Sequence, residues 1–203
     1  MKTCLAALAA VVLVASPVAA QVPAGLPGSA DVSRVVAGTY SVDPDHTQVV
    51  WTVDHMGVSP LTGMFGRMTG TLTLDPANPS AARLDIEIPL AGLTTTTEGF
   101  GKHLRTADFF DAEKFPTGRF VSTSVQAHGP EATITGNLTL HGVTRPVTMQ
   151  AKFFGAGPNP QTRALNIGFT ATARIKRSDF GLGFAVPVVA DEVDLKIVGA
   201  FVK

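Results

Sequence analysis

From residue 40 onward the chain keeps returning to a period of two, over stretches of about ten residues where strands usually run to five or six. Residues 46–56 set Val49, Trp51, Val53 and His55 on one face and Val50, Thr52 and Asp54 on the other. In 64–75, Met64, Gly66, Met68, Gly70, Leu72 and Leu74 share a face. Leu84, Ile86, Ile88 and Leu90 then oppose Arg83, Asp85 and Glu87. Alternation resumes over 119–128, 132–141 and 144–154, joined by turns short enough for an antiparallel meander. Residues 164–175 and 192–202 follow the same pattern, and Pro146 predicts an edge or a bulge. About eight or nine long antiparallel strands in one domain favour a closed up-and-down barrel over a flat sandwich. Such a barrel holds either packed side chains or one slim ligand. Small residues on the expected inner faces (Gly66, Gly70, Ala171, Ala173, Gly199) favour a cavity.

The chain of 203 residues is long enough for one well-buried core. Lys2, the apolar run 5–14 and the small residues Val18, Ala19 and Ala20 predict a signal peptide over 1–20, cleaved after Ala20, and hence a periplasmic location. Pro23, Gly25, Pro27 and Gly28 mark 21–38 as a flexible leader, so the domain is expected over 39–203. The single cysteine, Cys4, falls in the signal segment, which excludes a disulfide framework or a thiolate metal site from the mature chain. Balanced charge, 16 basic against 16 acidic residues, gives no polycationic surface for nucleic acid.

One segment breaks the alternation. Residues 99–123 gather Phe100, Phe109, Phe110, Phe115 and Phe120, five of the twelve phenylalanines, beside Lys102, His103, Arg105 and Asp108. A short helix is expected over 98–106 within a helical segment near 98–115. A charged aromatic island in a β-rich chain either plugs a core or forms the door to a pocket.

Catalytic and metal-binding patterns are sparse. His46, His55, His103, His128 and His141 form no ligand set at metal spacing, so no metal or other cofactor is expected. No nucleophile elbow is present, and Gly99 and Gly101 lack the third glycine of a nucleotide-binding turn. Glu98, Asp108, Asp111 and Glu113 read as solvated carboxylates beside a barrel. The competing enzyme reading would use His103 with Asp108 or Asp111 as an acid–base pair on an apolar isoprenyl substrate. The aromatic supply suits a mainly apolar cavity, in which a lipid chain gains about 0.8 kcal/mol per buried CH₂. On periodicity alone, phenylalanines that simply fill the barrel account for the pattern equally well.

Four runs tip that balance: YSVDPDHTQVVWTVDHMGVSPLTGMFGRMTGTLTLD, KHLRTADFFDAEKFPTGRFVST, GNLTLHGVTRPVTM and IKRSDFGLGFAVPVVADEVDLKI. In these motifs and their order the chain resembles the YceI-like family of secreted lipid-binding proteins. The resemblance implies an all-β, extended lipocalin-like antiparallel barrel of about eight strands that binds polyisoprenoid quinones or related amphiphiles, with no catalytic residues. His55 and Met56 match the family's segment near the channel. His103 and Leu104 begin its HL motif, Asp108, Phe109 and Phe110 complete it, and Phe120 starts the next strand. Asp179, Phe180 and Gly181 match its DFG segment. Gly101 and Lys102 depart from the pattern, in which an acidic residue is common. The candidate ligand-binding residues are Val53, His55, Met56, Met64, Phe100, His103, Leu104, Phe109, Phe110, Phe120, Phe169, Phe180 and Phe184. Expected partners are a polyisoprenoid or other long-chain lipid and a membrane redox protein, with the chain a monomer or homodimer. On this reading the island 99–123 is the door, its rings facing the ligand and its charges facing water.

Overall fold

The computed structural model describes residues 25–203, so the expected signal peptide lies outside the described residues. Eleven strands run in chain order: β1 (Gly38–Val42), β2 (Gln48–His55), β3 (Ser59–Phe65), β4 (Thr69–Leu74), β5 (Arg83–Pro89), β6 (Leu93–Thr94), β7 (Thr117–His128), β8 (Glu131–Leu140), β9 (Val143–Pro158), β10 (Leu165–Lys176) and β11 (Val189–Val202). One α-helix, α1 (Glu98–Leu104), stands between β6 and β7. Every pairing is antiparallel, and the contact of β1 with β11 closes the sheet. Three pairs of short strands (β1 with β2, β3 with β4, β5 with β6) are single staves interrupted by a bend. The result is a closed barrel of eight staves with one short helix, as the alternation predicts.

The interruptions have local causes. At the bend between β1 and β2, Thr47 Oγ1 donates to the Ala200 carbonyl at 3.0 Å and accepts from its amide at 3.0 Å. The buried hydroxyl thus replaces the ladder bonds that the bend removes. Between β3 and β4, Arg67 adopts φ 58°, and the inward phase changes across it. Phe65, opposite Val49, therefore faces inward, whereas Met64, opposite Val50, faces out. Alternation carried unbroken through 64–75 had put Met64 inside. Gly70, at φ 134°, lies so close to β5 that a Cβ would meet the Asp85 carbonyl. At Gly66 a Cβ would meet nothing, and it is Gly92 whose Cβ would run into the Gly66 carbonyl; neither Gly66 nor Gly70 lines the cavity, so neither leaves room inside. Ala171, Ala173 and Gly199 do leave that room.

The barrel has two unlike ends. At the helix end lie α1, the β2–β3 tip and the connection between β10 and β11. Here β9 has no β10 partner over 143–149, which makes the stretch around Pro146 the expected edge. The 3-10 turn Arg177–Phe180 fills that seam with Phe180, which is only 1% exposed. At the opposite end β9 overhangs β8 beyond Lys152, and residues 25–37 cover the overhang. Ser29 pairs with Ala156 there through bonds of 3.1 and 2.9 Å. Val35 is buried, and Asp31 caps the 3-10 turn Val32–Arg34. Composition predicted a flexible leader, but its described part is a strap laid on the barrel, because an unpaired strand edge beside an apolar opening offers it both partners and burial.

Candidate functional site

A cavity of about 640 Å³ runs along the barrel axis, within the range of ligand pockets. Its wall comes from inward residues of successive strands, among them Leu72, Ile86, Phe120, Ile134, Phe153 and Phe169. Among the described residues on its lining, Glu131 is the one charged side chain, and it sits at the strap end, 3.5 Å from Lys152. Exposed lining residues cluster at that same end: Ala30 and Val32 of the strap, Pro76 and Pro79 of the β4–β5 connection, and Gly129 and Pro130 of the β7–β8 turn. The mouth therefore opens under the strap. The interior is an apolar tube with its polar groups at one rim, an arrangement suited to a long hydrocarbon chain with a small polar end.

Phe120 and Phe169 are the candidate residues that line this tube. Phe169 packs edge to face between Phe153, at 5.6 Å, and Phe201, at 6.1 Å. The remaining candidates lie elsewhere. Val53 and Leu104 are buried in a second apolar cluster at the helix end, with Phe100 and Phe109 packed against it. His55 closes β2 opposite Val189, and Met56 and Phe184 are exposed at the tip of that end. His103 is exposed on α1 and stacks on Phe109 at 5.0 Å, which in turn stacks on Phe184 at 5.3 Å. Met64 faces outward, as described above.

The island 99–123 is thus mainly a plug, with the door at the other end of the barrel. Two arginines pin the helix end by donating to carbonyls, Arg105 within the island and Arg177 within the β10–β11 connection. Arg105 Nε bonds the Leu90 carbonyl at 3.3 Å, and its Nη2 bonds that of Leu93. Arg177, buried among polypeptide carbonyls, donates to Ala190 at 2.9 Å, Phe184 at 2.8 Å and Val189 at 2.8 Å, and also to Leu182. Burial pushes its guanidinium below the ordinary arginine value, opposed by the nearby Asp191 charge. Asp191 in turn accepts from the Ser178 amide at 2.8 Å and hydroxyl at 2.7 Å. A door would need fewer such ties. Thr97 caps α1 through the Phe100 amide at 3.2 Å, so the helix begins where the sequence places it.

His103 and Asp108 are both exposed, and neither lines the cavity, so this pair has no access to a substrate held in the tube. Among the described residues, no group of histidines and carboxylates has the geometry of a metal site. Most wall residues escaped the sequence reading because their signal, an aliphatic side chain on an inward face, is the same for a filled and for a hollow barrel.

The model of the YceI-like domain matches residues 40–201. The chain belongs to the YceI-like family. It is 41% identical over 164 residues to Protein YceI of Salmonella arizonae, covering 80% of this chain and 85% of that one. The solved structure of BcnA from Burkholderia cenocepacia superposes with a TM-score of 0.70 at 26% identity, covering 78% of this chain and 98% of that one. A polyisoprenoid-binding domain from Saccharophagus degradans shares the fold with a TM-score of 0.62 at 15% identity, over 80% of this chain and 97% of that one. The YceI-like membership read from the four motifs is thereby established, and with it the antiparallel barrel.

Proposed function

We propose that this chain is an exported binding protein that holds a long-chain isoprenoid, such as a polyprenyl quinone, in the barrel and stores or carries it through the periplasm. The observation that carries this reading is the apolar tube of about 640 Å³, with Glu131, the one charged lining residue among the described residues, at the mouth. The relative from Saccharophagus degradans, whose name describes polyisoprenoid binding, supports the ligand class. The pattern of residues 1–20 supports export. The chain enters under the strap with its hydrocarbon leading, and its polar end stays at the rim beside Glu131 and Lys152. Binding needs no reacting group in the tube, so the protein works as a carrier without catalysis. A membrane redox protein is the natural donor or acceptor of such a quinone.

Native mass spectrometry of the exported, processed chain, followed by solvent extraction, tests the reading. The expected result is a co-purified apolar lipid in stoichiometric amount. A chain that purifies empty and takes up no solanesol after delipidation would refute it. Cell fractionation tests the compartment, with the processed chain expected in the periplasmic fraction.

A further inference from the structure

Resting on the lipid-binding reading above, we infer that Phe65, backed by Phe110, forms the floor of the cavity and sets the length of chain it accepts. On three neighbouring staves the lining stops short of the helix end. Val49 of β2, Phe65 of β3 and Leu195 of β11 line the tube, whereas the next inward residues towards the helix end, Trp51, Gly63 and Val193, do not. Trp51 and Val193 belong instead to the second apolar cluster. Phe65, Phe110 and Ile175 pack against both the main core and that cluster, so they are the layer between them. Phe110 stands edge to face on Phe65 with centroids 5.6 Å apart and planes at 85°.

The layer is supported from behind. Leu93, 2% exposed, and Leu104, 7% exposed, pack in the cluster beyond it. The Phe110 amide donates to the Leu104 carbonyl at 3.0 Å, and Arg105 ties the same segment to the Leu90 carbonyl at 3.3 Å. A hydrocarbon chain entering at the strap end meets this layer head-on. Every unit up to the floor exchanges water for apolar wall, and a further unit must fold back or stay outside in water. Length discrimination follows from the depth of the tube, with no polar contact required.

The test uses the delipidated chain and an equimolar ladder of all-trans prenyl alcohols that runs unit by unit from geraniol to decaprenol, with the bound fraction read by mass spectrometry after desalting. A phenyl ring occupies about the space of one isoprene unit in a close-packed interior, so Phe65→Ala and Phe110→Ala each move the preferred length up by about one unit. Ile175→Phe adds a ring at the floor and moves the preference down by about one unit. That second direction keeps the test decisive where an alanine variant fails to fold. A wild-type preference unchanged in the folded variants overturns the floor and leaves lipid binding standing. A wild-type chain that binds no member of the ladder overturns the lipid-binding reading, and the floor with it.

Discussion

Ala171 offers a way to close the tube without touching the plug or the strap. It lies opposite Ala151 of β9 and Ile197 of β11, and all three line the cavity. In Ala171→Phe the added ring enters open apolar space at mid-barrel. Two effects of opposite sign follow. The empty protein gains by burying a ring against the apolar wall, by about 1.5–3 kcal/mol for a fully buried side chain. The ligand loses the space of about six carbons, worth at most about 5 kcal/mol at roughly 0.8 kcal/mol per carbon. That ceiling corresponds to between three and four decades in affinity, roughly. The assay is a thermal melt of delipidated wild type and variant, each with and without solanesol. Wild type is expected to melt lower when empty and to rise on lipid addition, whereas the variant melts higher when empty and barely responds. A variant that still binds solanesol like wild type, with no gain in the empty state, would refute the assignment of this volume as the lipid site. If the interior were already filled by side chains, the same substitution would overpack it and lower the melting temperature.

Other consequences concern the frame around the tube. Replacing Arg177 by Met removes the donor shared by the carbonyls of Leu182, Phe184, Val189 and Ala190 at the helix end. Unpaired buried carbonyls cost about 1–3 kcal/mol each, so urea denaturation should show a loss of at least about 3 kcal/mol; an unchanged midpoint would count against the staple. On the barrel surface, Arg119 holds the Asp85 carboxyl below the usual carboxylate value through bonds of 2.8 and 2.6 Å, and Arg174 does the same for Asp194 at 2.6 and 3.1 Å. A depressed folded-state pKa contributes stability that is present above the unfolded value near 3.8 and lost as pH falls through the lower folded values. Melting temperature should therefore fall as pH drops below about 4, and less steeply in the double variant Asp85→Asn, Asp194→Asn. Equal acid slopes would show that these pairs do not contribute.

The alternation of residues with period two was enough to reach an antiparallel barrel, because one face of each strand must meet the core and the other water. The four motifs were enough to reach the family. The sequence also placed the start of α1 at Glu98 and an edge or bulge at Pro146. What the chain could not disclose alone was phase and direction. The backbone turn at Arg67 moved Phe65 in and Met64 out, a change invisible to a pattern read continuously across it. Phe109 and Phe120 stand in one aromatic island, yet the first belongs to the plug and the second to the wall. Aromatic content reports burial in either place, and only strand register separates them.

The largest revision concerns the ends of the barrel. Residues 99–123 carry the charge and the rings expected of a door, but Arg105 and Arg177 tie that end to backbone carbonyls. Residues 25–37, rich in glycine and proline and without periodicity, lie over the mouth. Their place depends on the overhang of β9 beyond β8, which is a relation between distant strands. Sequence determined what each segment is made of and hence which faces must be buried. Tertiary pairing alone decided which end of the tube is sealed, because a strand's local pattern carries no information about where its neighbours stop.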